Sequence, residues 1–537
     1  MGQPETTPLR KFVYVLFITV AAGAMMGRIL SVQRVYEPDL HRIDPGQSAA
    51  IVLAPLGAGD GAQAAALLAA STQRWDQLGA DEPARVWPRT RPAPTPMFSS
   101  NDRSRWATVR ALVDEGTYAI GRRDPALAGK TNQYGDTGII FEDGWQSVDK
   151  VLHPQTNEFY SSKPPLLATL MAGEYWLLQR LFGWTFTNHL WTVTRMGLIT
   201  VNLLPLIVFW FVLSRLVERL GQSDWGRIYV MAAACFGTFL TTFAITFNNH
   251  IPAACCALFA LYPALRIWSG ESQGVWLFVL AGFFASLTAC FELPALSFAV
   301  ALLGLLAWRS PRRTLLAFVP AAALPAAAFF WTNHAAIGQW QPAYSEFGSD
   351  EQGWYNYPGS HWDHDPSQPK PGIDFIQEPK PIYALHMLVG HHGILSLSPI
   401  FLLTVIGMIG GGVAFLRDAA SGSREPLGSG ASPGAVWPLL ASLSLLLSVV
   451  VVGFFIWKSN NYGGWTSGLR WLFWLIPLWL LTLTPVADWL AARRWGRCLG
   501  YVLLAVSVLS VSYPAWNPWR HPWLYNWMEW HGWIQYG

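Results

Sequence analysis

The chain has 537 residues, 52% of them hydrophobic and only 13% charged, with a formal net charge of +3. A soluble globular domain carries about 25% charged residues, so this composition argues against one. Near-neutrality and the lack of a basic stripe argue against a nucleic-acid partner.

The first apolar run, Phe12 to Leu30, follows Arg10 and Lys11. At about 19 residues it is long enough to cross a bilayer. A retained helix is expected in 1–30; a signal peptide cleaved near Ala22-Gly23-Ala24 is the rival reading. A long polar segment, 31–190, comes next, and within it 46–96 is rich in Ala, Gly and Pro and reads as a peripheral insertion. Further apolar runs lie near 194–213, 227–247, 251–267, 273–291, 293–308, 314–333, 394–416, 436–457, 470–490 and 498–513. Together they predict an all-α, polytopic membrane protein with about eleven transmembrane helices. The expected organisation is an N-terminal transmembrane helix in 1–30 and a first extracytoplasmic loop with interfacial helices in 31–190. Helices two to seven follow in 191–333, an outer loop in 334–393, helices eight to eleven in 394–513, and an outer Trp-rich tail in 514–537. Thirty tryptophans suit a chain with many segments at the headgroup level. The five cysteines lie in or at the ends of apolar runs and form no CxxC metal motif.

Arginine sets the orientation. With the N-terminus in the cytoplasm, every expected inner loop carries Arg or Lys, from Arg10 and Lys11 through Arg215 and Arg219, Arg266, Arg309 to Arg313, Arg417 and Arg424, to Arg493 and Arg497. The opposite face collects ionisable residues at helix ends and in Gly- and Pro-rich loops, where they are costly unless satisfied and are functional candidates.

Asn101-Asp102-Arg103-Ser104-Arg105-Trp106 opens a helically spaced run through Val109, Leu112 and Val113, which predicts a surface helix. Asn101 or Asp102 is its expected N-cap, and capping alone would account for Asp102. Ser161-Ser162-Lys163-Pro164-Pro165-Leu166-Leu167 places a cation just before a helix start, a setting that suits a phosphate. A snorkelling lysine is the plainer account.

These two segments, with the helix end Leu181-Phe182-Gly183, resemble the GT-C superfamily of membrane glycosyltransferases. The resemblance is to the dolichyl-phosphate-mannose protein mannosyltransferases and the lipid A aminoarabinose transferase. It implies transfer of a sugar from a polyprenyl-phosphate donor to an extracytoplasmic acceptor at the bilayer surface. It also implies Asp102 as the catalytic base, Lys163 on the donor phosphate, and inversion by a single displacement. Relatives often carry Asp-Glu where this chain has Asn101-Asp102, and Glu where it has Ser162. A second carboxylate must then come from elsewhere or be absent, with Asp149, Glu158 and Glu292 as candidates.

Phe247-Asn248-Asn249-His250 ends one apolar run, and Asn249 and His250 can hydrogen-bond a sugar or simply close a helix turn. Glu292 stands at the outer end of another run, as a catalytic carboxylate or as half of an ion pair. In the 334–393 loop, His361-x-Asp363-His364-Asp365 could hold a divalent metal, although its spacing matches no known ligand set. Tyr344, Glu346, Asp350, Glu351, His386 and Gly390-His391-His392-Gly393 belong to the same loop, with His392 expected to face the substrate. Lys458 to Arg470 contains Tyr462-Gly463-Gly464 and ends at Arg470, which suits bidentate phosphate binding. This segment resembles the bacterial members of the superfamily, with Leu-Arg-Trp where they keep Pro-Arg-Tyr. That points to a bacterial inner membrane. Two other readings stay open: a lipid or anionic-solute transporter, which should carry its charges near the midplane, and a non-catalytic sugar-lipid-binding protein.

Overall fold

A computed structural model describes residues 7–32, 39–41, 84–86, 95–347, 353–363, 372–421 and 433–536. Most of the 46–96 insertion, and Asp350, Glu351, His364, Asp365 and Arg424 among the residues singled out above, lie outside the described residues.

Among the described residues, eight helices are long and apolar enough to cross a membrane: Pro8–Ser31, Phe186–Leu220, His250–Trp268, Pro311–Ile337, Ile400–Ala420, Val436–Lys458, Arg470–Ala491 and Arg494–Ser512. Two shorter apolar helices, Val275–Phe291 and Leu293–Arg309, pack beside them. The first helix starts where chemistry favours it, with Thr7 accepting from the Arg10 N–H and Pro8 in the first turn. Arg10, only 3% exposed, is held by Glu218 at 2.7 Å and also meets Asp224. The pairing matters because a buried guanidinium without a carboxylate would be strongly destabilising.

The 227–247 run departs from the expected span. It forms the helix Asp224–Phe236, breaks at Gly237 and continues as a buried irregular segment to Asn248. Non-helical backbone at such depth survives only where protein groups satisfy it. Asn202 does so, donating from Nδ2 to the carbonyls of Ala244 (3.0 Å) and Thr246 (2.8 Å). Asn248 adds bonds to the carbonyls of Phe243 and Thr246. The segment therefore turns inside the bundle and starts the next helix at His250.

The first large loop folds on the same end. The surface helix is Ser100–Arg110, continued by a wider turn to Glu115. Its N-cap is Ser99, not Asn101 or Asp102. Gly197 lets this helix dock on the bundle, since a Cβ there would lie 2.6 Å from the Trp106 ring. The all-α expectation needs one amendment. Besides a short pair, β1 (Asp39–His41) with β2 (Ala84–Val86), the loop carries β3 (Gly121–Arg123), β4 (Asp136–Thr137), β5 (Lys150–Leu152) and β6 (Glu158–Ser161). These last four form an antiparallel sheet in the order β4-β3-β6-β5. Strands of two to four residues are too short to show an alternating pattern in the sequence. The sheet delivers Ser161 to Lys163 directly before the helix Leu166–Phe182.

Candidate active site

Segments that lie far apart in the chain meet at one end of the bundle around two adjoining cavities. The larger, about 920 Å³, has an apolar side formed by Phe291, Leu293, Val450, Val451, Phe454 and Phe455. The smaller, about 500 Å³, is lined by Ser99, Ser100, Asp149, Gly463, Gly464 and Trp519, among others. Asn101, Ser162, Lys163, Asp374, Asn461 and Arg470 line both, so the two lobes meet at a polar seam.

Lys163 and Arg470 stand at that seam. Lys163 Nζ lies 2.7 Å from Asp149 Oδ1, and its side chain is still one quarter exposed. Burial lowers the Lys163 pKa, against the pull of Asp149. Burial alone would raise Asp149, but Lys163, Arg470 and Arg105 outweigh it and hold the carboxyl below its ordinary value. Arg470 donates from Nη2 to the Gly463 carbonyl (2.8 Å) and stacks over Trp519 at 4.5 Å. Its Nε is buried and has no hydrogen-bond partner. Gly463, at φ +96°, makes the tight loop that lets its carbonyl reach the guanidinium.

Glu292, Asn249 and His250 form a second polar group in the larger lobe. Asn249 Nδ2 donates to Glu292 Oε1 (2.6 Å), and His250 Nδ1 meets the same oxygen. Arg470 Nη1 approaches His250 Nε2 at 3.5 Å. An arginine can only donate, so His250 accepts on Nε2 and donates from Nδ1. Arg105 holds this group in place, donating to Asn249 Oδ1 and to Asn101 Oδ1. Burial pushes the Glu292 pKa up to about 8, opposed by Arg470 and Arg105. Near pH 7 Glu292 is then mostly neutral. Arg105, Lys163 and Arg470 outnumber the two acidic residues beside them, Asp149 and Asp374.

The expected residues divide into three groups. Lys163, Asn249, His250, Glu292, Lys458 and Arg470 line the larger lobe, and Asp149 lines the smaller. Asp102 borders neither cavity. It is 1% exposed, and its two oxygens accept from the backbone N–H groups of Phe98 (3.1 Å) and Phe247 (2.9 Å). Burial raises its pKa to about 7, against those two bonds. It clips the buried irregular segment to the surface helix, as an extended form of the reciprocal cap that Ser99 begins. His392 and Tyr462 also lie behind the cavity wall. His392 bonds the Thr466 carbonyl (3.1 Å), and Tyr462 bonds Glu378. Glu158 is turned toward Tyr160 on β6. Within the expected metal cluster, His361 sits 3.6 Å from Asp374.

Asp374 and Trp519 escaped the sequence reading, and Arg105 and Asn461, though inside segments it singled out, were not picked as site residues. Arg105 carried a usable signal, since it lies four residues after Asn101 and so on the same helix face. The other three come from loops and the tail, where no periodicity marks them.

No protein-family model matches this sequence, and neither does any curated protein. Among solved structures, the chain is similar to the apo form of the Archaeoglobus fulgidus oligosaccharyltransferase at 13% identity and a TM-score of 0.40. The match covers 96% of this chain and 56% of that one, so the chain spans little more than half the length of that protein. A likeness this weak constrains neither activity nor substrate.

Proposed function

We propose that the chain is a glycosyltransferase that moves a sugar from a polyprenyl-phosphate donor to an acceptor at the extracytoplasmic face of a membrane. The observation that carries this reading is the pair of cations, Lys163 and Arg470, at the seam of two cavities, the larger of which has a continuous apolar side. A lipid phosphate needs that combination: an apolar groove for its tail and fixed cations where the tail ends. The resemblance of the Lys163 and Arg470 segments to GT-C transferases supports the same assignment.

In this reading the tail lies along Val450, Phe454 and Phe455, and the phosphate sits between Lys163 and Arg470. The unpartnered Arg470 Nε supplies one donor. Asn249, His250 and the neutral Glu292 hydrogen-bond the sugar. Asp149, on the smaller lobe, takes the proton from the acceptor hydroxyl. In the free protein Lys163 holds Asp149 and weakens it as a base. A bound phosphate competes for Lys163, so the base is released when the donor arrives. The acceptor oxygen then attacks the anomeric carbon while the bond to the phosphate oxygen breaks. The two cations stabilise the departing lipid phosphate, and the single displacement inverts the anomeric centre.

This assignment gives the base role to Asp149 and leaves Asp102 a supporting one. Transfer from a radiolabelled polyprenyl-phosphate sugar by purified protein is the test. Asp149→Asn should lower the rate by about 10²–10⁴-fold, the usual contribution of general-base catalysis, with unchanged yield of folded protein. A variant with near-normal turnover would remove Asp149 from the mechanism. Absence of transfer by the unaltered protein across such donors would favour a non-catalytic sugar-lipid binder.

A further inference from the structure

Behind the cavity wall lies a second polar cluster that the transfer reaction does not use. Glu378, His386 and His391 each bring one ligand atom, and these atoms all lie within 4.8 Å of one another. His386 and His391 are 8% and 0% exposed. The hydrogen bonds around them can be assigned proton by proton. His392 Nε2 lies 3.1 Å from the Thr466 carbonyl, which can only accept, so this nitrogen carries the hydrogen. A neutral His392 therefore accepts at Nδ1, and His391 Nδ1, 2.5 Å away, donates to it. That leaves His391 Nε2 as a bare lone pair. Tyr462 donates to Glu378 Oε2, so Glu378 Oε1 is also left to accept.

A single group stands between these two acceptors. Tyr536 Oη lies 2.7 Å from His391 Nε2 and 2.7 Å from Glu378 Oε1. It has one hydrogen for two acceptors. His386 Nδ1 adds a buried nitrogen with no hydrogen-bond partner. The cluster is thus short of positive charge at the point where the three ligand atoms converge.

We propose that Glu378, His386 and His391 bind a divalent transition-metal ion, with Zn²⁺ as the reference ligand. Two imidazoles and one carboxylate are an established zinc ligand set. The surroundings match what such ligands require. His391 donates its other ring N–H to His392, and the second Glu378 oxygen is held by Tyr462, which are the outer bonds that orient metal ligands. With metal–ligand bonds of about 2.0–2.1 Å, the three groups must close inward and the His386 ring, stacked on His391 with centroids 4.2 Å apart, must turn its lone pair toward the ion, with Tyr536 Oη or a water as the fourth ligand. The ion would join the Lys380–Leu388 helix, the C-terminal tail at Tyr536 and, through Tyr462 and Thr466, the glycine loop that carries Arg470. Its role is to brace the cavity wall, and it stands whether or not the chain transfers sugar.

The test uses the full chain in detergent, purified without a polyhistidine tag and dialysed against zinc sulfate and then buffer. Elemental mass spectrometry should find about one ion per chain, and the thermal midpoint should rise with zinc and fall with chelator. The double variant H386A/H391A should lose at least about fivefold of that content, whereas Tyr536→Phe should retain it. Metal at background in the unaltered protein would overturn the site and leave an extra proton on Glu378 or His391 as the missing hydrogen. Full retention by the double variant would also overturn it. If that variant does not fold, X-ray absorption on the zinc-loaded unaltered protein decides. A nitrogen and oxygen shell with imidazole scattering supports the site, and an oxygen-only or sulfur shell overturns it.

Discussion

Asp149 and Glu292 border different lobes of one cavity, and their neighbours push them in opposite directions. Asp149 stays ionised because Lys163 lies 2.7 Å away, whereas Glu292 is buried between Asn249 and His250 and has a pKa near 8. Below that value Glu292 is neutral; above it a carboxylate forms beside Arg470 and Arg105 and competes with a phosphate for them. Donor KM should therefore rise as the pH passes 8, by about tenfold if the competing interaction is worth about 1.4 kcal/mol. Glu292→Gln, which keeps the neutral form, should flatten that rise; a KM profile unchanged by the substitution would contradict this role. Asp102 calls for a different expectation. Asparagine offers one acceptor where Asp102 offers two, so Asp102→Asn leaves the Phe98 or Phe247 N–H without a partner. The cost is about 1–3 kcal/mol of stability, read as a lower thermal midpoint. Activity per folded molecule should fall far less than in Asp149→Asn; complete loss at full folding would return the base role to Asp102. The pKa of Asp102, about 7 in the folded chain, lies above the ordinary carboxylate value. Its contribution to stability is therefore full in acid and is lost as the pH rises through 7.

At the scale of elements, the long apolar helices were legible because about 20 apolar residues in a row have few other uses. The surface helix before Arg110 was legible from its apolar spacing. The break at Gly237 was not, because a buried irregular segment is as apolar as a helix, and its stability depends on Asn202 and Asn248 reaching its carbonyls. The sheet β3–β6 was missed for the opposite reason, since its strands are too short to carry a period. Val436–Lys458 supplies the groove proposed for the lipid tail, and Val450 on it is about half exposed. Val450→Trp should fill that groove without disturbing the core. The expected result is a KM about tenfold higher for a long-chain donor, equivalent to about 1.4 kcal/mol, with no change for a short-chain soluble analogue. Equal effects on both donors would place the tail elsewhere.

For the molecule as a whole, the arginine pattern predicts that the cavity faces away from the cytoplasm. Cys498 is exposed at the start of the Arg494–Ser512 helix, in an arginine-rich segment assigned to the cytoplasm. In intact cells a membrane-impermeant maleimide should leave Cys498 unlabelled and should label a cysteine placed at the exposed Arg122 on β3. Labelling of Cys498 would reverse the orientation. The sequence by itself determined the membrane class, the main helices, and Lys163 and Arg470 as cations worth attention. Each of these is written in local composition or spacing. Only the tertiary structure decided which acidic groups meet those cations. Asp102 and Asp149 look alike in the sequence, but one points into the protein and binds two backbone N–H groups, and the other points into a cavity and pairs with Lys163. The tail is a similar case. Its tryptophans read as interfacial, yet Trp519 lies under Arg470 and Tyr536 reaches the histidine cluster. Contacts between residues so far apart in the chain are set by packing, and no local pattern records them.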